Sequence, residues 1–136
     1  MRQLAPAFAI AFASMTAFPA HAASSAPTEK KLEQMLMKID PSERFIQACS
    51  VAATDRIARD KNPYKADRAV MDAVSPARID GDRMRGAGGA FRSGGEWYQF
   101  SFTCETSDNH LKVLSFSYKI GDKIPEDKWE ALGLWQ

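Results

Sequence analysis

Apolar and polar residues alternate with a period of two through residues 84–120. This pattern is typical of an antiparallel sheet with one buried face, because successive side chains of a strand point to opposite faces. Residues 96–105 contain one strand of this kind, and the alternation resumes after a polar loop at residues 106–110. We therefore predict a hairpin whose two strands bury the same face.

The large apolar residues of this hairpin predict its register. Two cross-strand pairs are expected, Phe102 with Leu114 and Phe100 with Phe116. Side chains that meet directly across neighbouring strands stabilise a sheet, and aromatic pairs do so most strongly. The opposite face of the first strand is polar apart from Trp97. Trp97 is therefore predicted to be exposed.

Two amphipathic helices are predicted before the sheet. Thr28 can cap a first helix in which apolar residues recur at helical spacing. Asp40 ends that helix and caps the next one, and Pro41 occupies the first helical position, where its missing N–H costs nothing. The second helix is expected to run to about residue 59 with Cys49 on its buried stripe.

The segment between the second helix and the hairpin is harder to assign. Residues 65–74 are too few for periodicity to separate helix from strand, and we favour a short helix. Glycine-containing turns at residues 80–82 and 93–95 predict that further strands precede the hairpin. The predicted strands cover residues 77–80, 84–91 and 96–105 and the stretch from the 106–110 loop to residue 120.

The predicted fold class is α+β, with N-terminal helices packed on an antiparallel sheet of about four strands. Residues 125–132 are expected to add a short C-terminal helix, which begins with a proline and ends at Gly133 in the left-handed conformation. Trp129, Leu134 and Trp135 are expected to cover one end of the core.

The N-terminus has the pattern of a secretory signal peptide. A short positive start, an apolar run and the Ala20-His21-Ala22 cleavage pattern predict a signal at residues 1–22. Residues 23–27 are then expected to form a flexible lead-in, and residues 28–136 are expected to form a single domain. The run is too short for a membrane span, and Pro6 disfavours the alternative of an uncleaved anchor. We expect a periplasmic or secreted protein.

Charge argues against nucleic acid as a partner. Removal of the signal deletes Arg2 and lowers the Lys plus Arg count from 18 to 17, which equals the count of Asp plus Glu. Nucleic-acid binding depends on a basic excess that displaces the counterions of phosphate groups. The sequence therefore predicts neither nucleic-acid binding nor a membrane span in the mature chain.

Cys49 and Cys104 are the two cysteines of the chain, and both fall on predicted core faces. In an oxidising compartment, a disulfide between them is the first expectation. A metal site and a reactive thiol are the alternatives. Two isolated cysteines do not form a zinc ligand set, and no basic partner is identifiable near either thiol. No metal, cofactor or catalytic residue is predicted.

Several arginines crowd the predicted hairpin edge. Arg85 and Arg92, together with Trp97, are candidate ligand-binding residues for an anionic or sugar-like ligand. The commoner explanation of such residues is a set of solvated edge charges, since sheets keep their edges charged to avoid pairing with other chains.

Three blocks of the sequence resemble the bacterial domain of unknown function 930 family. They are KIDPSERFIQACSVAATDRI, GAGGAFRSGGEWYQFSFTCE and HLKVLSFSYKIGDKIPEDKWEALGLW. The resemblance covers about residues 36–135. It implies an exported protein of the alphaproteobacterial cell envelope with paired cysteines at Cys49 and Cys104. It implies no activity, cofactor or catalytic residue.

These observations leave three hypotheses for the function. The favoured one is a non-enzymatic binding or interaction module that contacts an envelope component or a partner protein. An inhibitor of a host or competitor enzyme is the alternative. A small hydrolase is the third hypothesis, for which residues 108–110 supply the acid–base groups, because histidine, here His110, is the side-chain type that commonly acts as a general acid or base near neutral pH.

Overall fold

The computed structural model of the protein describes residues 28–136. The predicted signal peptide at residues 1–22 and the lead-in at residues 23–27 lie outside these described residues. Within residues 28–136, no helix combines the length and the apolar character that crossing a membrane requires.

Two helices form the N-terminal part of the fold. Helix α1 (Glu29–Leu36) begins after Thr28, whose hydroxyl accepts a hydrogen bond from the backbone N–H of Lys31. Helix α2 (Pro41–Arg59) begins after Asp40, whose carboxylate accepts the N–H of Ser42 at 2.9 Å. Each cap satisfies a donor that has no partner inside its helix. Both predicted helices are confirmed.

Residues 28–136 also form one antiparallel sheet of five strands in the order β1-β3-β4-β5, with β2 paired beside β3. The long strand β3 pairs with β2 along its first half and with β1 along its second half, so these two strands share one edge. The strands are β1 (Ala66–Val70), β2 (Arg78–Asp80), β3 (Arg83–Ser93), β4 (Glu96–Thr106) and β5 (Val113–Lys123).

The prediction of a short helix at residues 65–74 is wrong, because β1 occupies this segment. β1 is stabilised by backbone hydrogen bonds to the C-terminal end of β3. The apolar residues of such a short segment do not predict this pairing. With this additional strand, the described residues contain five strands and not the predicted four.

The predicted register of the β4–β5 hairpin is also wrong. The loop extends to Lys112, so that Thr106 pairs with Val113, and this accounts for three of the four positions by which the register differs. A bulge adds the fourth, because Leu114 is an extra residue on β5 between the pairs of Thr106 and Glu105. Leu114 is 67% exposed, and the strand beyond it is shifted against its partner. The pairs observed are Phe102 with Tyr118 and Phe100 with Ile120.

Helix α2 packs on one face of the sheet, here called the inner face. Cys49 of α2 and Cys104 of β4 are both fully buried and form a disulfide, with their Cα atoms 6.1 Å apart. Around them lies a core of aliphatic and aromatic side chains that includes Phe45, Ile57 and Phe100. The predicted disulfide and the predicted packing of helix on sheet are confirmed.

The C-terminal segment packs on the opposite, outer face of the sheet. It forms two short 3-10 turns (Glu126–Lys128 and Glu130–Leu132) and ends in Gly133 at φ 67°, as predicted for a left-handed cap. Trp129 and Leu134 are buried there against Trp97. This second core lies across the sheet from the disulfide, and is not an end of the inner core.

The predicted exposure of Trp97 is therefore wrong. Its side chain is fully buried, and its indole N–H donates to the carbonyl of Trp135 at 2.8 Å. The alternation of β4 indicated a wet outer face, but the C-terminal segment covers the part of this face that contains Trp97.

Candidate functional site

The C-terminal segment leaves the other half of the outer face open. An open groove of about 640 Å³ lies there, and its wall is formed by residues 75–76. We call it the outer groove. Six polar side chains of its lining carry the argument below: Arg78, Arg85, Ser101, Thr103, Ser117 and Lys119.

Strand register places four of these side chains in one row across the sheet. Arg78 lies opposite Arg85, Arg85 opposite Thr103, and Thr103 opposite Ser117. Directly opposed residues share a face, and the adjacent Cys104 points to the inner core. The row therefore projects from the outer face.

A second row lies two residues further along β4, where Ser101 is opposite Lys119. The groove wall is held close to it by a hydrogen bond from the N–H of Val74 to the carbonyl of Gly88, at 2.8 Å. Gly88 is required at this place, since a Cβ atom there would overlap the backbone and hydroxyl of Ser75.

The three cations of the outer groove are not neutralised by the protein. Within residues 28–136, the side chains of Arg78, Arg85 and Lys119 form no ion pair and no hydrogen bond. No aspartate or glutamate is among the residues that line the groove. The open half of the outer face therefore carries an uncompensated positive charge.

Two other arginines of the same sheet, Arg83 and Arg92, are paired with carboxylates. The Nε of Arg83 donates to the carboxylate of Glu105 at 2.7 Å. The Nε of Arg92 donates to that of Asp67 at 2.9 Å, and this hydrogen bond raises the pKa of the arginine. The contrast separates the cations of the outer groove from ordinary surface ion pairs.

The structure divides the three residues predicted to bind a ligand. Arg85 lies in the outer groove. Arg92 lies opposite Trp97, and its guanidinium carbon is 5.9 Å from the centre of the indole ring. Seven positions of strand separate the two arginines, which corresponds to about 20 Å. Arg85 is thus not brought together with the Arg92–Trp97 pair, and ligand binding by these residues stays a prediction.

Sequence reasoning missed the remaining polar residues of the outer groove. Ser101 and Thr103 on β4, and Ser117 and Lys119 on β5, were assigned to the face away from the core but not considered as a site. The available signal was their spacing, because every second residue is a hydroxyl or a lysine at positions 101 and 103 of β4 and at positions 115, 117 and 119 of β5.

Residues 36–134 match the family model described as Domain of Unknown Function (DUF930). The chain belongs to the DUF930 family. This confirms the resemblance found in the sequence, and the match contains both cysteines and the six polar residues of the outer groove named above. No curated protein and no solved structure matches the chain.

A second depression of this DUF930 domain lies between α1, α2 and the start of β5, with a volume of about 530 Å³. Its charged rim is already paired within the protein. Arg59 contacts Asp55 at 2.6 Å, and the Nζ of Lys112 lies 3.3 Å from Glu33. The contact with Glu33 raises the pKa of Lys112. This depression therefore offers a ligand less free charge than the outer groove does.

His110 of the DUF930 domain is packed as part of a turn. Its ring stacks on Phe45, with the ring centres 4.3 Å apart, and its Nδ1 lies 2.8 Å from the hydroxyl of Thr106. The nearest carboxylate, that of Asp82, is 4.0 Å from the same nitrogen. A catalytic triad uses the two ring nitrogens for different partners, and the geometry here differs from that arrangement. Residues 28–136 also contain no cluster of side chains that suits a metal ion.

Proposed function

We propose that this DUF930 protein is an exported, non-enzymatic binding module of the bacterial cell envelope, and that its outer groove binds an anionic envelope component. The observation that carries the proposal is the set of three uncompensated cations on an open sheet face. Bringing Arg78, Arg85 and Lys119 to one groove without a counter-charge creates a field that attracts anions.

Fold stability does not account for these cations. Arg78 and Arg85 are directly opposed on neighbouring strands, and like charges in that position destabilise a sheet. Protection of a sheet edge accounts for Arg78, because β2 is an edge strand. It does not account for Arg85, since β3 is paired on both sides at this point. A ligand that neutralises the pair supplies the missing reason.

The disulfide supports the proposed location. Disulfides such as Cys49–Cys104 form and persist in oxidising compartments outside the cytoplasm. Export by the predicted signal peptide at residues 1–22 would bring the protein to the periplasm, where anionic envelope components are present.

Cosedimentation with isolated bacterial cell envelopes tests the proposal. We expect the purified domain to sediment with the envelopes and to be released as salt is raised, because salt screens exposed charges. The variant Arg78→Ala/Arg85→Ala/Lys119→Ala should stay in the supernatant.

A matched control removes three charges elsewhere. The cations concerned, Lys30, Lys38 and Lys128, are exposed and form no ion pair within the described part of the chain. The control variant with alanine at these positions should sediment as the wild type does. Equal sedimentation of all three proteins, or none for the wild type, would contradict a role of the outer groove. Thermal melts confirm that each variant is folded.

A further inference from the structure

We infer that the outer groove binds a sugar that carries phosphate groups. The inference rests on the proposed binding function and names its ligand class. It follows from three properties of the groove: a pair of opposed arginines, a floor of free hydroxyls, and a separate cation at the far side.

The opposed arginines match a phosphate monoester. The Cα atoms of Arg78 and Arg85 face each other across two paired strands, a separation of about 5 Å. Each guanidinium offers several N–H donors in a planar fork that suits phosphate oxygens. A phosphate monoester carries a charge of about −1.5 to −2 at pH 7, which balances both arginines. A carboxylate or a phosphodiester carries one negative charge and leaves the repulsion partly in place.

The floor next to the arginines is uncharged and carries three hydroxyl side chains. Ser101, Thr103 and Ser117 project from the outer face, and their hydroxyls form no hydrogen bond with other side chains or backbone groups in residues 28–136. A hydroxyl both donates and accepts, as the hydroxyls of a sugar do. A groove for a simple polyanion would instead continue the row of cations. The floor therefore favours a ligand whose middle part is an uncharged sugar ring.

Lys119 completes the site at the other side of this floor. It lies two strands away from Arg85 and is offset by two residues along the strand direction, so that the two Cα atoms are about 12 Å apart. A sugar ring with a phosphate at each end spans such a gap. One phosphate then meets the arginine pair, and the other meets the point charge of Lys119.

Titration of the purified domain by calorimetry and NMR tests this inference. The probes are glucose, inorganic phosphate, glucose 6-phosphate and glucose 1,6-bisphosphate, all at one ionic strength. We expect the bisphosphate to bind most tightly, by a margin of at least about tenfold over inorganic phosphate, since it adds charge-assisted and neutral hydrogen bonds. Glucose alone should bind too weakly to detect.

Variants assign the parts of the ligand. Arg78→Ala/Arg85→Ala should weaken binding of the bisphosphate by about tenfold or more. Lys119→Ala should make the bisphosphate and glucose 6-phosphate equal. Thr103→Val should remove the preference for glucose 6-phosphate over inorganic phosphate. The control variant Lys30→Ala/Lys38→Ala has the same net charge as the arginine variant and should bind as the wild type does.

Two outcomes separate this inference from the proposed function. If envelopes retain the protein through the outer groove, but sugar phosphates bind no better than inorganic phosphate, the ligand class is wrong and the binding function stands. If neither envelopes nor phosphate probes bind, both are overturned.

A vesicle arm identifies the source of the sugar phosphate. Phosphatidylcholine vesicles with and without a diphosphorylated glycolipid are compared with free glucose 1,6-bisphosphate. Tighter binding to the glycolipid vesicles supports the inference with a lipid headgroup as the source. Tighter binding to the free bisphosphate supports it with a free sugar phosphate. Failure to bind either form overturns it.

Discussion

Replacement of Cys49 and Cys104 by alanine removes the covalent link between α2 and β4. The two residues are 55 positions apart in the sequence. On the chain-entropy model, closing a loop of this length removes enough freedom from the unfolded chain to stabilise the fold by about 4 kcal/mol. A domain of this size has a free energy of unfolding of about 5–15 kcal/mol, so the loss is a large fraction of the total.

Urea unfolding followed by circular dichroism measures this loss. With a denaturant dependence of about 1–3 kcal/mol/M, the midpoint of the double variant should fall by roughly 1.3–4 M. The wild type in excess reductant provides the control, because it loses the bond but keeps both sulfur atoms. Similar losses in the two proteins attribute the effect to the bond and not to the missing side-chain volume.

A loss below about 1 kcal/mol in both proteins would refute the reasoning, because the unfolded chain would then gain little freedom when the bond is broken. Residual contacts between residues 41–59 and 96–106 of the reduced, unfolded chain would be the physical cause of such a small loss. A steeper dependence on urea in the wild type than in the reduced protein would also contradict it, since a cross-linked chain exposes less surface on unfolding.

Three further substitutions have defined outcomes. Arg78→Glu replaces the like-charge pair with Arg85 by an attractive pair, so it should raise the free energy of unfolding by about 0.2–1 kcal/mol and abolish binding. The control Arg78→Gln, in the same urea assay, removes the repulsion without adding an attraction. Gly88→Ala should lower the free energy of unfolding by about 1–3 kcal/mol, since the new methyl group displaces Ser75. Unchanged stability of this variant would contradict the close contact. Hydrogen bonds keep the pKa of Asp40 below its ordinary value of 3.8, so its contribution is present above that pH and is lost as pH falls through the lower folded value. The melting temperature of Asp40→Ala should therefore differ less from that of the wild type at acidic pH than at neutral pH. Asp40→Asn can still cap the helix, so at neutral pH its melting temperature should lie closer to the wild type than that of Asp40→Ala.

Signals confined to neighbouring residues predicted the structure well. Asp40 and Pro41 mark the start of α2 because capping depends on the few residues next to the helix end. Gly94 and Gly95 both adopt positive φ between β3 and β4, as a two-residue hairpin turn requires. In each case the chemistry that decides the conformation lies within a few positions of the chain.

Three features decided by distant contacts were not predicted, although the disulfide, which also joins distant residues, was. Leu114 follows the apolar alternation, yet a bulge moves it out of the core. Trp97 lies on the formally polar face, and only the C-terminal segment explains its burial. β1 forms because the edge of β3 is free to pair with it. None of these contacts leaves a periodic trace in the segment itself.

The candidate site was predicted in part for the same reason. Arg85 was selected because arginines are concentrated near it in the sequence. Lys119 comes from a different strand, and its position in the outer groove depends on the register of β5, which the bulge changes. The cations could be counted from the sequence. Whether they form ion pairs could not be predicted, because that depends on where every nearby aspartate and glutamate lies in the fold.

The order of strands in the sheet determines which contacts can form early as the chain folds. β3, β4 and β5 follow one another in sequence and pair in that order, so the centre of the sheet is built from two local hairpins. Hairpins form in about 1–10 μs, whereas disulfides form over seconds to hours. The thiols of Cys49 and Cys104 meet only when α2 has docked on this centre. Oxidation should therefore fix an arrangement that the chain has already reached, and the rate at which the thiols disappear would depend on the fraction of chains in which the helix is docked.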